Sequence, residues 1–444
     1  MRSFCSTLLA LGGSLLSALP VAAQAPARLT KDLDAQVAQV MPQVVGWRRD
    51  IHEHPELSNR ELRTAKLVAD QLTRLGLEVR TGVAHTGVIG VLRGGKPGPV
   101  VALRADLDAL PVTEQVDLSF KSTATAEYNG QRVGVMHACG HDNHVAILLG
   151  AATVLAGMRA EIPGTVKFLF QPAEEGAPLG EEGGASLMIR EGALADPAPG
   201  AIFGLHVWPE RVGTITWRAG PFMAASDQLR IVVRGRQTHG AVPWGGVDPV
   251  VVASQIVLGL QTIASRQVDI TKVPAIVTIG SIQGGNRGNI IPDSVVMLGT
   301  VRTFDEAMRA DIKQRIERTA GSIAQSAGAT AGVDFPGANN PVTFNDPALT
   351  ERMLPTLRRV AGASNLLATE LQTPSEDFAW YQQKVPGLFV YLGIVPQGRD
   401  PAAAPRNHSP YFFADEGALP VGVRLLTSLA LDWLSGTPGP GPRR

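Results

Sequence analysis

The sequence predicts an α/β protein in which a mostly parallel central sheet is flanked by helices and carries an inserted α+β domain. Apolar strand-like runs and helical runs alternate up to about residue 217, which is the order that builds a parallel sheet with helices on its faces. Three of the strand-like runs end in acidic or imidazole side chains, where open α/β sheets form their ligand crevices. After residue 219 the pattern changes to alternating strands and long helices, and it changes back after residue 331.

The length and charge of the chain limit its organisation and its partners. At 444 residues it is expected to form two or three domains, since a domain typically has about 100 to 200 residues. The 40 Lys and Arg residues equal the 40 Asp and Glu residues, so net charge gives no reason to expect nucleic acid or an anionic membrane as a partner. A small molecule or a peptide is therefore the expected partner.

Residues 1–25 have the pattern of a secretory signal peptide. A basic start at Arg2 is followed by an apolar run at 8–19 and by small residues that suit cleavage after Ala23 or Ala25. The apolar run is too short to form a stable membrane span. The sequence thus predicts an exported protein, either periplasmic or secreted, with a bacterial type of signal.

A dense group of metal-binding side chains lies at residues 137–144, which read HACGHDNH. Neutral imidazole and thiolate hold zinc-like cations, and one short segment cannot surround an ion without partners from elsewhere. Removal of Cys5 with the signal peptide would leave Cys139 as the only cysteine, which can be a packing residue, a free thiol or a ligand. The neighbouring histidines favour a ligand. His144 is expected to support the site or pack beside it, and the role of His137 stays open.

Residues 30–76 are predicted to be largely helical, with an interruption at the segment HEHPE, residues 52–56. This segment superficially resembles a zinc-binding helix. However, Pro55 interrupts the helix that would put both histidines on one face, so a structural or supporting role is expected.

Acidic or imidazole side chains follow three predicted strands. The strand at 100–105 leads into Asp106 and Asp108, the strand at 165–170 precedes Glu174 and Glu175, and the strand at 201–205 ends at His206. The carboxyl ends of parallel strands meet at one edge of a sheet, so these side chains are expected to converge there. The alternative for the two aspartates is a turn whose side chains cap a helix.

The inserted domain is predicted to span residues 219–331, and the catalytic domain to consist of 26–218 and 332–434. The insertion has strands at 229–234, 275–279 and 294–302, with helices at 249–264 and 307–327. The first fold then resumes with a helix at 347–360, a strand at 387–392 and a last helix at 417–434. Residues 435–444 form a Gly- and Pro-rich tail without core-forming content.

Taken together, the motifs resemble those of a family of dinuclear metallo-amidohydrolases. The motifs are CGHD at 139–142, Glu174-Glu175, His206, the stretch 235–243 and NHS at 407–409. The family includes aminoacylases, hippurate hydrolases, auxin-conjugate amidohydrolases and bacterial glutamate carboxypeptidases. The resemblance covers about residues 35–434 and is closest to the hippurate and auxin-conjugate branch. It implies a zinc-exopeptidase-like fold.

The resemblance implies a centre of two divalent metal ions with Cys139 bridging them. The implied ligands are Cys139, His141, Glu175, His206 and His408. A thiolate can share its lone pairs between two cations while imidazoles and a carboxylate complete the coordination. Zinc is expected first, with manganese or cobalt as alternatives.

The resemblance also implies roles in catalysis and substrate binding. Glu174 would act as general base and then general acid, and His239 would donate to the developing oxyanion from the neighbouring subunit of a homodimer or higher homo-oligomer. Asn289 and Arg302 would bind the carboxylate of the substrate. Asp106 is expected to hydrogen-bond a liganding histidine, with Asp108 as the competing candidate.

The implied activity is hydrolysis of N-acyl L-amino acids, with aroyl or other bulky acyl groups and ochratoxin-like Phe conjugates among the candidates. At Trp244 the sequence departs from the family, because many relatives have a histidine after Pro243; an aromatic residue there could widen the pocket or pack at a dimer interface. Two alternatives remain: a dipeptidase or carboxypeptidase of the same family, and a periplasmic metal-binding protein without turnover. Glu174 argues against the latter, because binding alone needs no proton-transferring acid.

Overall fold

The computed structural model describes residues 32–337 and 339–436. The predicted signal peptide lies outside the described residues, and so do residues 437–444 of the predicted tail. The structure confirms an α/β fold with a large, mostly parallel central sheet and flanking helices.

The helices match most of the predicted helical runs. They are α1 (Leu33–Glu53), α2 (Leu62–Arg74), α3 (His141–Gly157), α4 (Gly184–Arg190), α5 (Pro249–Thr262), α6 (Glu306–Ser326), α7 (Pro347–Ala361), α8 (Ala379–Gln382) and α9 (Leu419–Ser435).

The strands alternate with these helices in the catalytic part and cluster in the insertion. They are β1 (Glu78–Val83), β2 (Gly87–Arg93), β3 (Lys96–Asp106), β4 (Thr125–Tyr128), β5 (Gln131–Gly134), β6 (Pro163–Gln171), β7 (Ala201–Arg211), β8 (Ile215–Trp217), β9 (Gly220–Met223), β10 (Ala225–Arg234), β11 (Thr238–His239), β12 (Ala275–Gln283), β13 (Ile290–Ile291), β14 (Ser294–Thr303), β15 (Thr330–Asp334), β16 (Thr343–Asn345), β17 (Leu366–Ala368) and β18 (Gly387–Val395).

Local sequence signals fix the starts of the long helices α5, α6 and α7. Each is preceded by an aspartate whose carboxylate accepts a hydrogen bond from a backbone N–H of the first turn: Asp248, Asp305 and Asp346. Proline follows the cap in α5 and α7. The first helical position tolerates proline because a backbone N–H there would have no acceptor within the helix.

The central sheet has the strand order β1-β2-β6-β3-β7-β18-β8-β17. The four middle strands, β6, β3, β7 and β18, run parallel to one another, and β2 and β8 pair with them in the antiparallel direction. The carboxyl ends of the four parallel strands therefore meet at one edge. This edge carries the site described below.

Both faces of the sheet are covered, because side chains along its strands alternate between two cores. On β3, Leu103 packs into the larger core with α1, α2, α3, α7 and α9, whereas Ala102 packs into a second core with α4 and α8. One helical span of the described residues, Glu416–Ser435, is long and apolar enough to cross a membrane by length and composition. It packs against α1, α3 and α7, and 78% of its most apolar window is buried, as in a core helix.

The inserted part has its own antiparallel sheet, with the order β12-β14-β10-β15, and its own core with α5 and α6. Strand β9 pairs with β16 outside this sheet, and β15 continues to Asp334, so the four-stranded sheet runs from Ala225 to Asp334. The bounds 219–331 of the inserted domain stay a prediction. Strand β7 also continues past His206 to Arg211.

Close packing of α3 against α1 and α9 yields a stability prediction. A Cβ at Gly150 would lie 2.7 Å from Val423 Cγ2 and 2.8 Å from Val44 Cγ2, so Gly150→Ala should lower the free energy of unfolding by about 1–3 kcal/mol. In the matched control, Gly46→Ala in α1, the new Cβ meets no atom of the described residues within 4 Å, and stability should rise by about 0.5–1 kcal/mol. Urea unfolding measures both. Equal effects of the two substitutions would contradict this packing.

Candidate active site

The predicted ligands come from separate segments that meet at the carboxyl edge of the central sheet. Cys139 and His141 lie at the start of α3, Glu175 follows β6, His206 lies on β7 and His408 on the segment before α9. The structure brings all five together. Cys139 Sγ lies 3.3 Å from His206 Nε2, His408 Nε2 lies 3.1 Å from Glu175 Oε1, and His141 Nε2 lies 4.0 Å from that same oxygen.

The five side chains form two groups with one member in common. Within each group the donor atoms lie within 4.8 Å of one another: one group is Cys139, His141 and His206, and the other is Cys139, Glu175 and His408. Cys139 is therefore placed where a thiolate could serve both groups. This is the arrangement that a dinuclear centre requires.

Hydrogen bonds orient two of the imidazoles toward this centre. His141 Nδ1 lies 2.8 Å from the Asp108 carbonyl oxygen, and His206 Nδ1 lies 2.7 Å from the Val207 carbonyl oxygen. A carbonyl only accepts, so each Nδ1 carries a proton and Nε2 is the nitrogen left to bind an ion. His141 Nε2 is buried and has no hydrogen-bond partner among the described residues. Buried polar atoms rarely remain unpaired, so this donor set fits metal ions.

The electrostatics of the centre also favour bound cations. Burial opposes the charge of His141, but Asp106 and Asp108 outweigh it and raise the pKa of His141 to about 10. Burial, with Glu175 and Glu174 nearby, raises the pKa of the Cys139 thiol well above its usual range. The surroundings thus stabilise positive charge and oppose a thiolate. A thiolate ligand at this position needs cations beside it.

Asp106 does not hold a predicted ligand, which corrects the expectation from the sequence. Asp106 Oδ1 lies 2.5 Å from His144 Nδ1 and 3.9 Å from His141 Nδ1. His144 Nε2 in turn accepts from the backbone N–H of Val207, next to His206. The partner of His141 is Asp108, through its carbonyl and through Oδ1 at 3.3 Å. The two aspartates are separated by a single residue, and only the tertiary structure shows which one meets which histidine.

Glu174 lies beside the two groups that share Cys139 without belonging to either. Its Oε2 is 3.9 Å from His141 Nε2, and its Oε1 accepts a hydrogen bond of 3.4 Å from the backbone N–H of Asp377. Burial, with Glu376 and Glu175 nearby, raises the pKa of the Glu174 carboxyl well above its usual range. A carboxyl group in this position is well placed to hold a proton next to the centre.

Sequence reasoning missed the buried guanidinium behind Glu174. Arg104 donates to Asp106 Oδ2 at 2.6 Å and to Asp377 Oδ1 at 2.7 Å, and it lies 3.0 Å from Glu376 Oε1. The buried carboxylates of Glu376 and Asp377 are therefore already paired with a cation. An arginine within a buried strand was the available signal, because such a charge must find partners.

A cleft of about 1500 Å³ opens beside the centre, between the central-sheet part and the insertion. On the first side it is lined by Leu179, Trp208 and Trp380, and on the insertion side by Arg302 and Arg309. Arg302 Nη1 is buried and has no hydrogen-bond partner within residues 32–337 and 339–436, and burial lowers the pKa of Arg302. By contrast, Arg309 is paired with the buried Asp227.

The structure does not bring His239 or Asn289 to this cleft within one chain. His239 is exposed on β11, which pairs with β13, and its Nδ1 accepts from the backbone N–H of Ala241 at 3.0 Å. Asn289 is exposed next to it, and its carbonyl accepts from the Gly240 N–H. Trp244, whose side chain is 80% exposed, follows in the same tip of the insertion. His239 and Asn289 therefore lie together, but apart from the cleft of their own chain.

Comparisons with known proteins agree with this geometry. The family described as "Peptidase family M20/M25/M40" matches residues 102–432. The chain is 39% identical to thermostable carboxypeptidase 2 of Saccharolobus solfataricus, over 91% of this chain and 98% of that protein. It is also 39% identical to IAA-amino acid hydrolase ILR1-like 4 of Arabidopsis thaliana, over 88% and 86%.

A solved structure is similar over nearly the whole chain as well. The Bacillus subtilis YXEP protein, described as a dinuclear metal binding peptidase from the M20 family, superposes with a TM-score of 0.73 at 37% identity, covering 89% of this chain and 99% of that one.

The shared position of Cys139 yields a prediction on metal binding. Cys139→Ser should weaken the binding of both ions by about 100-fold or more, because the thiolate belongs to both groups. His206→Asn removes a donor from one group only, so it should leave the second ion bound with nearly normal affinity. Competition with a chromophoric chelator measures both affinities. Wild-type binding of both ions by Cys139→Ser would contradict the bridging position.

Proposed function

Because the chain belongs to the M20 peptidase family of metal-dependent amidohydrolases and peptidases, we propose that it hydrolyses the amide bond of N-acyl L-amino acids. The observation that carries this proposal is the carboxyl group of Glu174, which lies 3.9 Å from His141 Nε2 and outside the two donor groups that share Cys139. A pure binding protein has no use for such an acid. The proposal includes the hippurate and auxin-conjugate branch, which the relative named IAA-amino acid hydrolase supports.

The ions would be held by the five ligands, with zinc as the proposed metal because thiolate and imidazole donors suit it. When bound, divalent ions lower the pKa of water to about 7 and polarise a carbonyl oxygen. Glu174 then accepts the proton of the attacking water and passes it to the nitrogen of the leaving amino acid. The backbone N–H of Asp377 holds the other carboxylate oxygen of Glu174 in place during both transfers.

Arg302 is proposed to bind the carboxylate of the amino-acid half. Its guanidinium lines the cleft, and its buried Nη1 has no partner in the described part of the chain, so a carboxylate would satisfy a donor that is otherwise unpaired. The aromatic side chains of Trp208 and Trp380, together with Leu179, offer apolar contacts to a bulky acyl group. Aroyl amino acids and ochratoxin-like Phe conjugates are therefore the proposed substrates.

A homodimer is proposed, because His239 and Asn289 can complete a site only in another copy of the chain. Strand β12 is an edge strand of the inserted sheet, and an edge strand offers unpaired backbone groups to a second copy. Apolar side chains are exposed around it on β12, β14 and α5: Ile276, Ile282, Leu298, Val250, Val251 and Leu258. In such a dimer His239 would donate a hydrogen bond to the oxyanion in the partner's cleft.

A dipeptidase or carboxypeptidase is the second candidate, which the relative named thermostable carboxypeptidase 2 supports. Both candidates use the same proton transfers and differ in whether the acyl half carries an amine. Parallel assays with hippurate, N-acetyl-Phe and a dipeptide separate them. Export to the periplasm or medium, after cleavage at residue 23 or 25, is proposed from the sequence alone, and N-terminal sequencing of the mature protein tests it.

The first prediction from this function concerns the proton carrier. Glu174→Gln should lower kcat by at least about 10³-fold while both ions remain bound, because the amide cannot take up the proton. Glu182→Gln is the matched control: this glutamate lines the same cleft on an exposed loop and should leave kcat unchanged. Metal content and hydrolysis of hippurate are measured for both. If Glu174→Gln retained turnover, Glu174 would not be the proton carrier.

The second prediction concerns Arg302. Arg302→Gln should raise KM by about 10- to 100-fold for a substrate with a free carboxylate, since a hydrogen bond to a charged group contributes about 1.5–3 kcal/mol. It should have little effect on the corresponding amide. Arg190→Gln is the control, because Arg190 lines the cleft but already pairs with Glu182 at 2.8 Å. If Arg302→Gln lowers activity equally on the substrate with a free carboxylate and on the corresponding amide, Arg302 does not bind that carboxylate.

The third prediction tests the partner's histidine by complementation. His239→Ala and Glu174→Gln should each be inactive alone. If the two inactive chains are mixed and re-associated, about half of the dimers pair unlike chains, and each of these has one intact site of two. Activity should therefore return to about one quarter of the wild-type level. No recovery, with mixed dimers shown by mass spectrometry, would mean that His239 does not act in the partner's site.

A further inference from the structure

The loop that carries Glu174 and Glu175 begins with a strained turn. Ala173 has φ 52°, in the left-handed region that residues other than glycine, asparagine and aspartate rarely adopt. A residue keeps such a conformation only where its surroundings fix it. Residues of this loop line the cleft, and the loop returns to α4, where the Ala185 N–H donates to Asp377 Oδ2 at 2.7 Å. The directions of both glutamates therefore depend on what holds the start of this loop.

Two buried carboxylates hold the backbone on either side of Glu174. Glu61, fully buried at the start of α2, accepts the N–H of Ala173 at 3.0 Å through Oε1. Asp108 accepts the N–H of Glu175 at 3.0 Å through Oδ2. Each acceptor is fixed in turn by a hydroxyl group: Thr86 Oγ1 donates to Glu61 Oε2 at 2.6 Å, and Ser58 Oγ donates to Asp108 Oδ2 at 2.8 Å.

The residues next to Glu61 contact the far limb of the same loop. Asn59 Nδ2 donates to the Glu182 carbonyl at 3.0 Å, and Arg60 Nη1 donates to Glu181 Oε2 at 3.0 Å. The segment 58–61 thus contacts both the start and the end of the loop. Within this segment, Glu61 contacts the strained residue Ala173. Glu61 does not line the cleft, so substrate cannot reach its carboxyl group.

We propose that Glu61 is a positioning residue, which fixes the left-handed turn at Ala173 and thereby aims Glu174 at the reacting water and Glu175 at its ion. The proposal rests on the proposed function for the role of Glu174, but the holding of the loop does not depend on it. Without Glu61 the Ala173 N–H would be a buried donor without a partner, and the turn would relax toward an ordinary backbone conformation.

The test uses three substitutions in one segment. Glu61→Ala removes the acceptor. Glu61→Gln keeps an oxygen for the Ala173 N–H and offers an amide donor to Thr86 Oγ1, so it should rescue the function. Glu56→Ala is the matched control: Glu56 also accepts two backbone N–H groups, of Arg63 at 2.9 Å and Thr64 at 2.8 Å, but it supports α2 and does not contact the loop.

Two readouts are measured on the metal-loaded protein at a temperature where every variant is folded. In Glu61→Ala, amide hydrogen exchange in the peptide covering residues 170–185 should be at least about tenfold faster than in wild type, while Glu56→Ala leaves that peptide unchanged. With hippurate, Glu61→Ala should lower kcat by about 10²-fold with KM within about threefold of wild type. Glu61→Gln should recover kcat to within about tenfold of wild type.

Unchanged exchange of this peptide in Glu61→Ala would overturn the proposal, and so would an equal loss of kcat in Glu56→Ala. If wild type hydrolyses none of the N-acyl amino acids or dipeptides, the proposed function fails. The exchange readout then still decides whether Glu61 holds the loop.

Discussion

An excess of buried carboxylates at one edge of the sheet is the constraint on which the rest of the structure depends. Asp106, Asp108, Glu376 and Asp377 are all buried there, next to Glu174 and Glu175. Burying carboxylates without compensation is costly, and Arg104 neutralises only part of their charge. Burial accordingly raises the pKa of Glu376 to about 8. Two divalent cations would supply the missing positive charge, so metal binding and the stability of this edge are coupled.

The architecture explains how one chain can satisfy this constraint. The four parallel strands deliver their carboxyl ends to a single edge, and helix α3 begins there with Cys139 and His141 close to its first turn. Both faces of the sheet are packed, so the strand ends have little freedom to move. This edge carries Glu174 and the five predicted ligands, while the insertion lies across the cleft and carries Arg302. In the proposed function, chemistry and substrate recognition are therefore separated between two parts of the molecule.

Much of this could be predicted from the sequence, because the informative signals are local. Strand ends followed by Asp, Glu or His, and a short segment rich in His and Cys, identify the edge and its donors without knowledge of long-range contacts. The partner of His141 could not be identified in this way, since Asp106 and Asp108 both follow the same strand and differ only in which histidine each one meets. The sheet that β9 joins could not be identified either, because strand pairing rather than composition decides which sheet a segment joins.

The residues that were missed act through contacts far apart in the sequence. Arg104 meets Asp377 across 273 positions, and Glu61 meets Ala173 across 112. Neither contact leaves a periodic or compositional trace. A buried charge in a strand and a glutamate at the start of a helix are ordinary when read alone. Only the tertiary structure shows that Arg104 and Glu61 both lie close to the segment that carries Glu174.

The central claim is that Cys139 lies between two cations while Glu174 binds neither. Anomalous diffraction at the absorption edge of the bound metal, from crystals of the metal-loaded protein, tests it most directly. We expect two anomalous peaks per chain, both within bonding distance of Cys139 Sγ, with the Glu174 carboxyl group outside the coordination of each. A single peak, two peaks that do not share Cys139, or Glu174 as a direct ligand would contradict it.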